Sequence, residues 1–220
     1  MFRKVLITAG NTKVPIDQVR RIDNIFSGRT GTEIAKYFAE HGEEVTLLTS
    51  DPNLLNGYHK APIRIVAYKM FDQLERAMKR EITEKRYDLI IHSSAVSDHI
   101  VDKVYIEVDD RLVEIDRSKK ISSKHKHLFL RTSQTPKLID FIRDEWGFKK
   151  TLVKFKLEVG ISDEELINIA KESRDHSRAD FIIANTLESM GAKAFIIDKE
   201  NRISLASRKT LPEEMFKRIA

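Results

Sequence analysis

Residues 5–31, VLITAGNTKVPIDQVRRIDNIFSGRTG, join a short apolar strand to the start of a helix through a long polar loop. Small residues follow the strand, and Ser27, Gly28 and Gly31 stand where the helix begins. Small residues let backbone N–H groups approach an anion, and a helix N-terminus adds a favourable dipole. The stretch therefore predicts a phosphate or nucleotide site; the alternative is a tight strand-to-helix turn that binds nothing.

The composition is that of an ordinary globular protein. The chain has 220 residues, 41% of them hydrophobic and 33% charged, and a formal net charge of +5. One local basic run, residues 117–126, has no recognisable nucleic-acid-binding module beside it. No window approaches the roughly 20 apolar residues of a membrane span. We therefore expect neither a nucleic acid nor a membrane as partner.

The chain contains no cysteine, which excludes structural disulfides, cysteine nucleophiles and thiolate metal sites. This suits a reducing cytoplasm, the location we expect, and no apolar stretch of signal-peptide length precedes Gly10. The seven histidines lack the spacing of a metal motif such as H-E-x-x-H. Any metal is therefore expected to be a hard ion bound by oxygen.

Strands and helices alternate along most of the chain. Apolar runs such as 5–8 and 89–92 are typical of buried parallel strands, and segment 30–41 has helical spacing. Further predicted strands lie at 45–49, 63–68, 152–157, 181–184 and 194–198, and further helices at 71–85, 136–146, from 162 and from 212. This pattern predicts an α/β fold, a Rossmann-like, mostly parallel sheet with helices on both faces. A hairpin and a basic irregular stretch form a flap region, about 100–133, within a single domain of residues 1–220.

Ligands on such sheets bind beyond the carboxyl ends of the strands, so the loops there carry the candidate residues. After strand 89–92, Ser94 and Ala95 are small enough for close approach of a ligand. Asp98 is either a ligand for ribose hydroxyls or a metal ion, or a turn residue. Asn185, after strand 181–184, is either a metal or substrate contact or only a strand-end residue. Lys120, in the basic stretch, belongs either to a lid that offsets charge at phosphorus or to a solvated loop.

Six segments, in order, resemble phosphopantothenoylcysteine synthetase, also called phosphopantothenate–cysteine ligase. The most specific is ITAGNTKVPIDQVRRIDNIFSGRTG, against a family pattern close to TxGGTxxPxDxVRxIxNxSSGxxG. The others are IIHSSAVSD, Lys120-Ile121-Ser122-Ser123, Thr135-Pro136-Lys137, Phe155-Lys156-Leu157-Glu158 and FIIAN at 181–185. Together they cover nearly the whole chain and resemble the stand-alone form of the ligase.

The resemblance implies a homodimeric two-step ligase acting on small molecules, with CTP or ATP as co-substrate and Mg²⁺. Phosphopantothenate forms an acyl-nucleotide, which the amine of cysteine then attacks. By residue-by-residue match, Lys120 stabilises charge in the first step, and Asn24 and Arg20 hold the intermediate. The match assigns substrate binding to Asn24 and Asn185 and names no metal ligand. Nucleotide binding falls to Gly10, Asn11, Thr12, Ser27, Gly28, Gly31, Ser94, Ala95, Asp98 and Phe155.

Two departures from the family pattern keep alternatives open. Asn11 replaces a glycine, and either crowds the phosphate path or takes the left-handed conformation that asparagine tolerates. Ser94 replaces a common alanine. Both support a catalytically inactive homologue. A nucleotide-binding Rossmann-like oxidoreductase is the other alternative; it requires a tight G-x-G-x-x-G turn and usually Tyr-x-x-x-Lys, and no tyrosine here has lysine four residues later.

Overall fold

The computed structural model describes residues 3–219, which form thirteen strands and five α-helices. The strands are β1 (Lys4–Ala9), β2 (Val14–Pro15), β3 (Arg21–Ile22), β4 (Glu44–Thr49), β5 (Ile63–Ala67), β6 (Leu89–His92), β7 (His99–Val108), β8 (Arg111–Ile115), β9 (Phe129–Gln134), β10 (Thr151–Glu158), β11 (Phe181–Thr186), β12 (Ala194–Asp198) and β13 (Ile203–Ala206). The helices are α1 (Arg29–Glu40), α2 (Phe71–Glu84), α3 (Leu138–Asp144), α4 (Asp163–His176) and α5 (Leu211–Ile219).

An eight-stranded sheet of order β13-β12-β11-β10-β6-β1-β4-β5 forms the centre of the fold. β6 is buried along its whole length and β1 from its second residue onward. Strands covered on both faces need continuous apolar sequence, and that is why these runs read as parallel strands. The pairings from β5 across to β11 are all parallel, which confirms the predicted α/β class.

Helices cover both faces of this sheet, as predicted. On one face α1 and α5 bury Ile34, Phe38 and Met215 against β1, β4 and β6. On the other face α2 and α3 bury Leu74 and Ile142 against the same strands. α4 packs beside α3 over β11 and β12. The strand order reverses between β1 and β6, because the chain runs from β1 to β4 and β5 on one side and then returns to β6 on the other.

The predicted flap is a separate three-stranded antiparallel sheet of order β8-β7-β9. The hairpin at 104–115 is present, and β7 extends it back to His99 along β9. Val101, Val104 and Ile121 of the flap and Val14 of the loop after β1 form a small core of their own. The flap is therefore attached to the glycine-containing loop as well as to the main sheet.

Three features were absent from the sequence-based prediction. β12 and β13 run antiparallel at the edge of the sheet, whereas an apolar run does not reveal its direction. β13 follows a turn in which Asn201 has φ of 62°. The strand itself is half exposed, so its apolar sequence pattern is weak. β2 and β3 have two residues each. Within residues 3–219 there is no helix long and apolar enough to cross a membrane.

Candidate functional site

A cleft of about 840 Å³ opens where the carboxyl ends of β1, β6, β10 and β11 meet. It lies at the reversal of strand order, the position at which open α/β sheets bind ligands. The N-terminal end of α1 forms one wall, and α3 and α4 form the other. Of the predicted site residues, the cleft is lined by Gly10, Ser27, Gly28, Gly31, Ser94, Ala95, Asp98, Phe155 and Asn185.

The glycines of the first loop are required by packing as well as by access. Gly10 and Gly28 have φ of +96° and +90°, a region that L-residues rarely occupy. A Cβ on Gly28 would lie 2.5 Å from the backbone nitrogen of Gly10, and one on Gly31 would lie 2.7 Å from Cβ of Ala9. The start of α1 is therefore pressed onto the end of β1, which aims its unpaired N–H groups at the cleft.

Asn11 and Thr12 point into the loop and not into the cleft. The Asn11 side chain donates to the backbone oxygen of Asn24 over 2.6 Å, and Thr12 Oγ1 accepts from the backbone nitrogen of Ser97 over 2.8 Å. The Asn24 side chain donates to the backbone oxygen of Ala95 over 3.0 Å. Asn11 has a negative φ, so the left-handed alternative is wrong, and its side chain also stays out of the phosphate path.

Ser94, which also departs from the family pattern, is accommodated too. The hydroxyl of Ser94 lies 2.8 Å from that of Tyr68, which donates to the backbone oxygen of Ala9 over 2.8 Å. Tyr68 is buried, and burial raises the pKa of its hydroxyl above the ordinary value. Ser94 therefore provides the partner that a buried phenol needs.

The wall opposite α1 is cationic. Lys154 is buried on β10 and its ammonium donates to the backbone oxygen of Ser173 over 2.9 Å. Burial lowers the pKa of Lys154 to about 8, with Asp140 acting in the opposite direction. One buried oxygen of Asp140 has no hydrogen-bond partner within residues 3–219. The Lys and Arg residues that line the cleft are Arg29, Lys137, Lys154, Lys156 and Arg208, against Asp98 and Asp140. This excess of positive charge favours an anionic ligand.

Asp98 lies on the cleft but is already paired. Its carboxylate accepts from the ammonium of Lys137 over 2.5 Å, and both side chains are about half exposed. An exposed pair of this kind contributes little to stability, so a ligand can exchange with it at low cost. Asn185 and Phe155 lie on the neighbouring strands and are partly buried.

Lys120 and Arg20 do not line the cleft. Lys120 is exposed in the irregular segment after β8. The guanidinium of Arg20 is bonded to Asp17 and to the backbone oxygen of Ile121. The structure therefore brings Arg20 and the Lys120 segment together, next to the loop that carries Asn24.

His92, at the end of β6, is buried at the floor of the cleft, where Nδ1 lies 2.9 Å from Oγ1 of Thr8. Burial, together with the charge of Lys154, lowers its pKa from 6.5 to about 4. Between these values the unfolded chain binds a proton that the folded chain does not, so the free energy of unfolding should decrease as pH falls from 6.5 to 4. The difference corresponds to about 3 kcal/mol.

We expect His92→Gln to remove this part of the pH dependence. Urea unfolding at several pH values between 4 and 7.5 measures it, since carboxylates common to both proteins cancel in the comparison. Parallel curves for the two proteins would contradict a neutral, buried His92.

The sequence of residues 2–219 matches the family described as DNA/pantothenate metabolism flavoprotein C-terminal domain. The chain belongs to this family. Among curated members it is 30% identical over 221 residues to the coenzyme A biosynthesis bifunctional protein CoaBC of Thermococcus kodakarensis, covering 99% of this chain and 49% of that protein. It is 31% identical over 187 residues to CoaBC of Methanocaldococcus jannaschii, covering 84% of this chain and 40% of that one. The chain thus spans about half the length of these relatives, and the stand-alone form stays a prediction.

Solved members of the family have the same fold. The DNA/pantothenate metabolism flavoprotein of Streptococcus pneumoniae superposes with a TM-score of 0.82 at 28% identity, over 99% of this chain and 98% of that one. The C-terminal domain of a CoaBC protein superposes with a TM-score of 0.71 at 19% identity, over 99% and 93% of the two chains. The family and the fold predicted from the sequence are both confirmed.

Several cleft residues were not predicted from the sequence. Lys154 carries a visible signal, a lysine inside the apolar strand segment Leu152–Leu157, which a buried position makes unusual. Asp140 stands on α3 one turn after Pro136, where helical spacing alone marks it as exposed. Arg208 lies on the connection from β13 to α5, and nothing local in the sequence indicates that the chain returns there to the cleft.

Proposed function

We propose that this protein is a phosphopantothenate–cysteine ligase, which joins 4′-phosphopantothenate to L-cysteine in coenzyme A biosynthesis through an acyl-nucleotide made from CTP or ATP. The observation that carries the proposal is the cleft at the strand reversal, where the glycine loop and the start of α1 face a cationic wall. Family membership supports it. So does a structural neighbour, a Cab2 variant solved in complex with phosphopantothenate-cysteine, which shares the fold at 19% identity and a TM-score of 0.75.

In the first step a carboxylate oxygen of phosphopantothenate attacks the α-phosphorus, and pyrophosphate leaves with the electron pair of the broken P–O bond. Negative charge accumulates between two anionic reactants, so catalysis depends on oriented N–H groups and cations. The backbone at Gly10 and Ser27–Gly31 supplies the N–H groups. Lys154, Lys156 and Arg29 supply charge from the walls, and Lys120 supplies it from the flap.

In the second step the amine of cysteine attacks the acyl carbon, loses a proton, and releases the nucleotide monophosphate. Asn24 acts in this step. It belongs to the loop after β1, and its side chain donates to Ala95 in the loop after β6, which supports this role. Its Nδ2 carries two hydrogens, and the bond to Ala95 uses one. The other is directed to the intermediate, as are Arg20 and Asn185.

The nucleotide is bound by Gly10, Ser27, Gly28, Gly31, Ser94, Ala95, Asp98 and Phe155. Asn11 and Thr12 contribute by shaping the loop, since their side chains are occupied within it. The two departures that favoured an inactive homologue, Asn11 and Ser94, make hydrogen bonds within the protein. The oxidoreductase alternative has no supporting observation, because the glycines at the cleft are separated by a long loop and do not form one tight turn.

Mg²⁺ belongs to the proposal as part of the nucleotide substrate. Within residues 3–219 no group of three or more His, Cys, Asp or Glu side chains could hold a metal ion. The triphosphate itself therefore supplies most of the oxygen ligands. We expect turnover to require Mg²⁺ and the purified protein to contain no stoichiometric zinc. Elemental analysis together with EDTA titration checks this, and tightly bound zinc in active protein would contradict it.

A homodimer and a cytoplasmic location complete the proposal. The dimer follows from the resemblance, and the location from a cysteine-free chain that suits a reducing compartment. Sedimentation at several protein concentrations tests the dimer.

Pyrophosphate release is the direct test of the activity. We expect it to require phosphopantothenate together with CTP or ATP, and we expect free cysteine to convert single into multiple turnover. A protein that binds nucleotide but releases no pyrophosphate would instead be the inactive homologue.

A further inference from the structure

Asp17 stands at the centre of a hydrogen-bond network that joins the loop after β1 to the flap. Its carboxylate is buried. One oxygen accepts from the backbone nitrogens of Val19 and Arg20 over 2.8 and 2.7 Å. The other accepts from Nε and Nη2 of Arg20 over 3.0 and 2.6 Å, and from the backbone nitrogen of Ile121 over 3.0 Å. These bonds hold the pKa of Asp17 far below its usual range.

The contact with Ile121 is distant in sequence and specific in geometry. The nitrogen that bonds Asp17 belongs to the peptide unit between Lys120 and Ile121. The carbonyl oxygen of Ile121 accepts from Nη2 of Arg20 over 2.7 Å. Both backbone polar groups of Ile121 are therefore hydrogen-bonded, the N–H to Asp17 and the carbonyl to Arg20. The Ile121 side chain is buried with Val14, which fixes it a third time.

A second arginine holds the other end of the same segment. The guanidinium of Arg117 donates to the backbone oxygens of Val101 and Pro15. Lys120 is therefore an exposed residue on a short segment that is fixed on both sides. Its side chain can change conformation, whereas its backbone is held in place.

We propose that Asp17 is a positioning residue, which fixes Lys120 beside the loop after β1 by holding the Lys120–Ile121 peptide. This inference rests on the proposed function, because Lys120 acts in acyl-nucleotide formation. Arg20 then has two roles, because it also holds Ile121. The bonds to Asp17 and Ile121 use Nε and Nη2, and they leave Nη1 to meet the intermediate.

The variant Asp17→Asn tests the hydrogen bond between Asp17 and Ile121 with the smallest change in side-chain shape. An amide of the same shape keeps one oxygen for the turn at Val19 and Arg20. It replaces the other oxygen with a donor, which cannot accept from Ile121. Asp102→Asn is the matched control, because Asp102 is an ion-paired carboxylate of the same flap, on the middle strand β7, and is bonded to Arg131 and Ser133 and not to Ile121.

Limited trypsin digestion measures how firmly the Lys120–Ile121 peptide is held, and it does not depend on enzyme activity. The Lys120–Ile121 bond is itself a tryptic site, and Lys124–His125, exposed in the same segment, serves as the internal reference. We expect Asp17→Asn to raise the ratio of cleavage after Lys120 to cleavage after Lys124 at least tenfold, by mass spectrometry, and Asp102→Asn to leave it unchanged. If Asp17→Asn does not fold, Ile121→Ala, which loosens the same anchor, is expected to raise the ratio in its place. An unchanged ratio in a folded variant overturns the inference.

Kinetics then separates positioning from general damage. We expect Asp17→Asn to lower kcat for pyrophosphate release by about tenfold or more, with KM for nucleotide within twofold. In a Lys120→Gln background the same change should cost nothing further, because the residue it positions is gone. Additive losses overturn the inference. If the wild-type protein releases no pyrophosphate, the proposed function fails. The digestion ratio still decides whether Asp17 holds the Lys120–Ile121 peptide.

Discussion

Lys120→Gln should slow pyrophosphate release by about 10²–10³-fold, the usual loss on removing one contact to charge that develops in a transition state. Lys120 is exposed and its side chain packs against nothing in the core, so the fold should be unaffected. Glutamine is one atom shorter than lysine, stays polar, and removes the charge. The effect should fall on kcat in single turnover, with little change in nucleotide affinity.

Rapid-quench measurement of pyrophosphate, with phosphopantothenate and nucleotide but no cysteine, checks this result. Lys124→Gln is the control, since it makes the same change four residues further along the same exposed segment. Equal rates for the Lys120 variant and the wild-type protein would remove Lys120 from the mechanism and make its segment a plain surface loop.

Asn24→Asp should separate the two half-reactions. The Asn24 amide donates to the backbone oxygen of Ala95 and accepts from the backbone nitrogen of Phe26 over 3.2 Å. Aspartate keeps the second bond, turns the first into a repulsion between two oxygens, and repels the anionic intermediate. We therefore expect one turnover of pyrophosphate release but little cysteine adduct, with the acyl-nucleotide accumulating.

Mass spectrometry of the quenched reaction, with and without cysteine, follows both species. Asn56→Asp makes the same chemical change in an exposed turn and should behave as the wild-type protein. Equal loss of both steps in a folded Asn24 variant would make Asn24 a residue that shapes the loop. No loss of either step would end the transfer of roles from the family.

The fold was predictable wherever burial leaves a signal in the sequence, either a continuous apolar run or a periodic apolar stripe. β1 and β6 are apolar because both of their faces are covered, and α1 shows its buried stripe at Ile34, Ala35 and Phe38. Strand direction at the β12 edge and the two-residue strands were not predictable, because pairing partners distant in sequence determine them. The flap hairpin was visible through the turn at Asp109 and Asp110, both of which have positive φ.

The candidate site was predictable in position more than in detail. The loops after β1 and β6 do face the cleft, but Gly28 is small because backbone packs on backbone there, and Gly31 because the side chains of Ser93 and Ala9 leave no room for a Cβ. The alternatives for Asn11 could not be resolved without its partner, the backbone oxygen of Asn24. The positive charge of the cleft comes from segments as far apart as those of Lys154 and Arg208, about 50 residues, a distance that no local pattern spans.

An isotope-transfer experiment tests the central claim, that the carboxylate of phosphopantothenate is activated by attack on the α-phosphorus of the nucleotide. Phosphopantothenate labelled with ¹⁸O in both carboxylate oxygens is turned over with nucleoside triphosphate and cysteine. Attack on the α-phosphorus followed by aminolysis leaves one labelled oxygen in the nucleotide monophosphate and one in the new amide, and this is the result we expect. Label in inorganic phosphate alongside nucleoside diphosphate, or no label in the monophosphate, would contradict it.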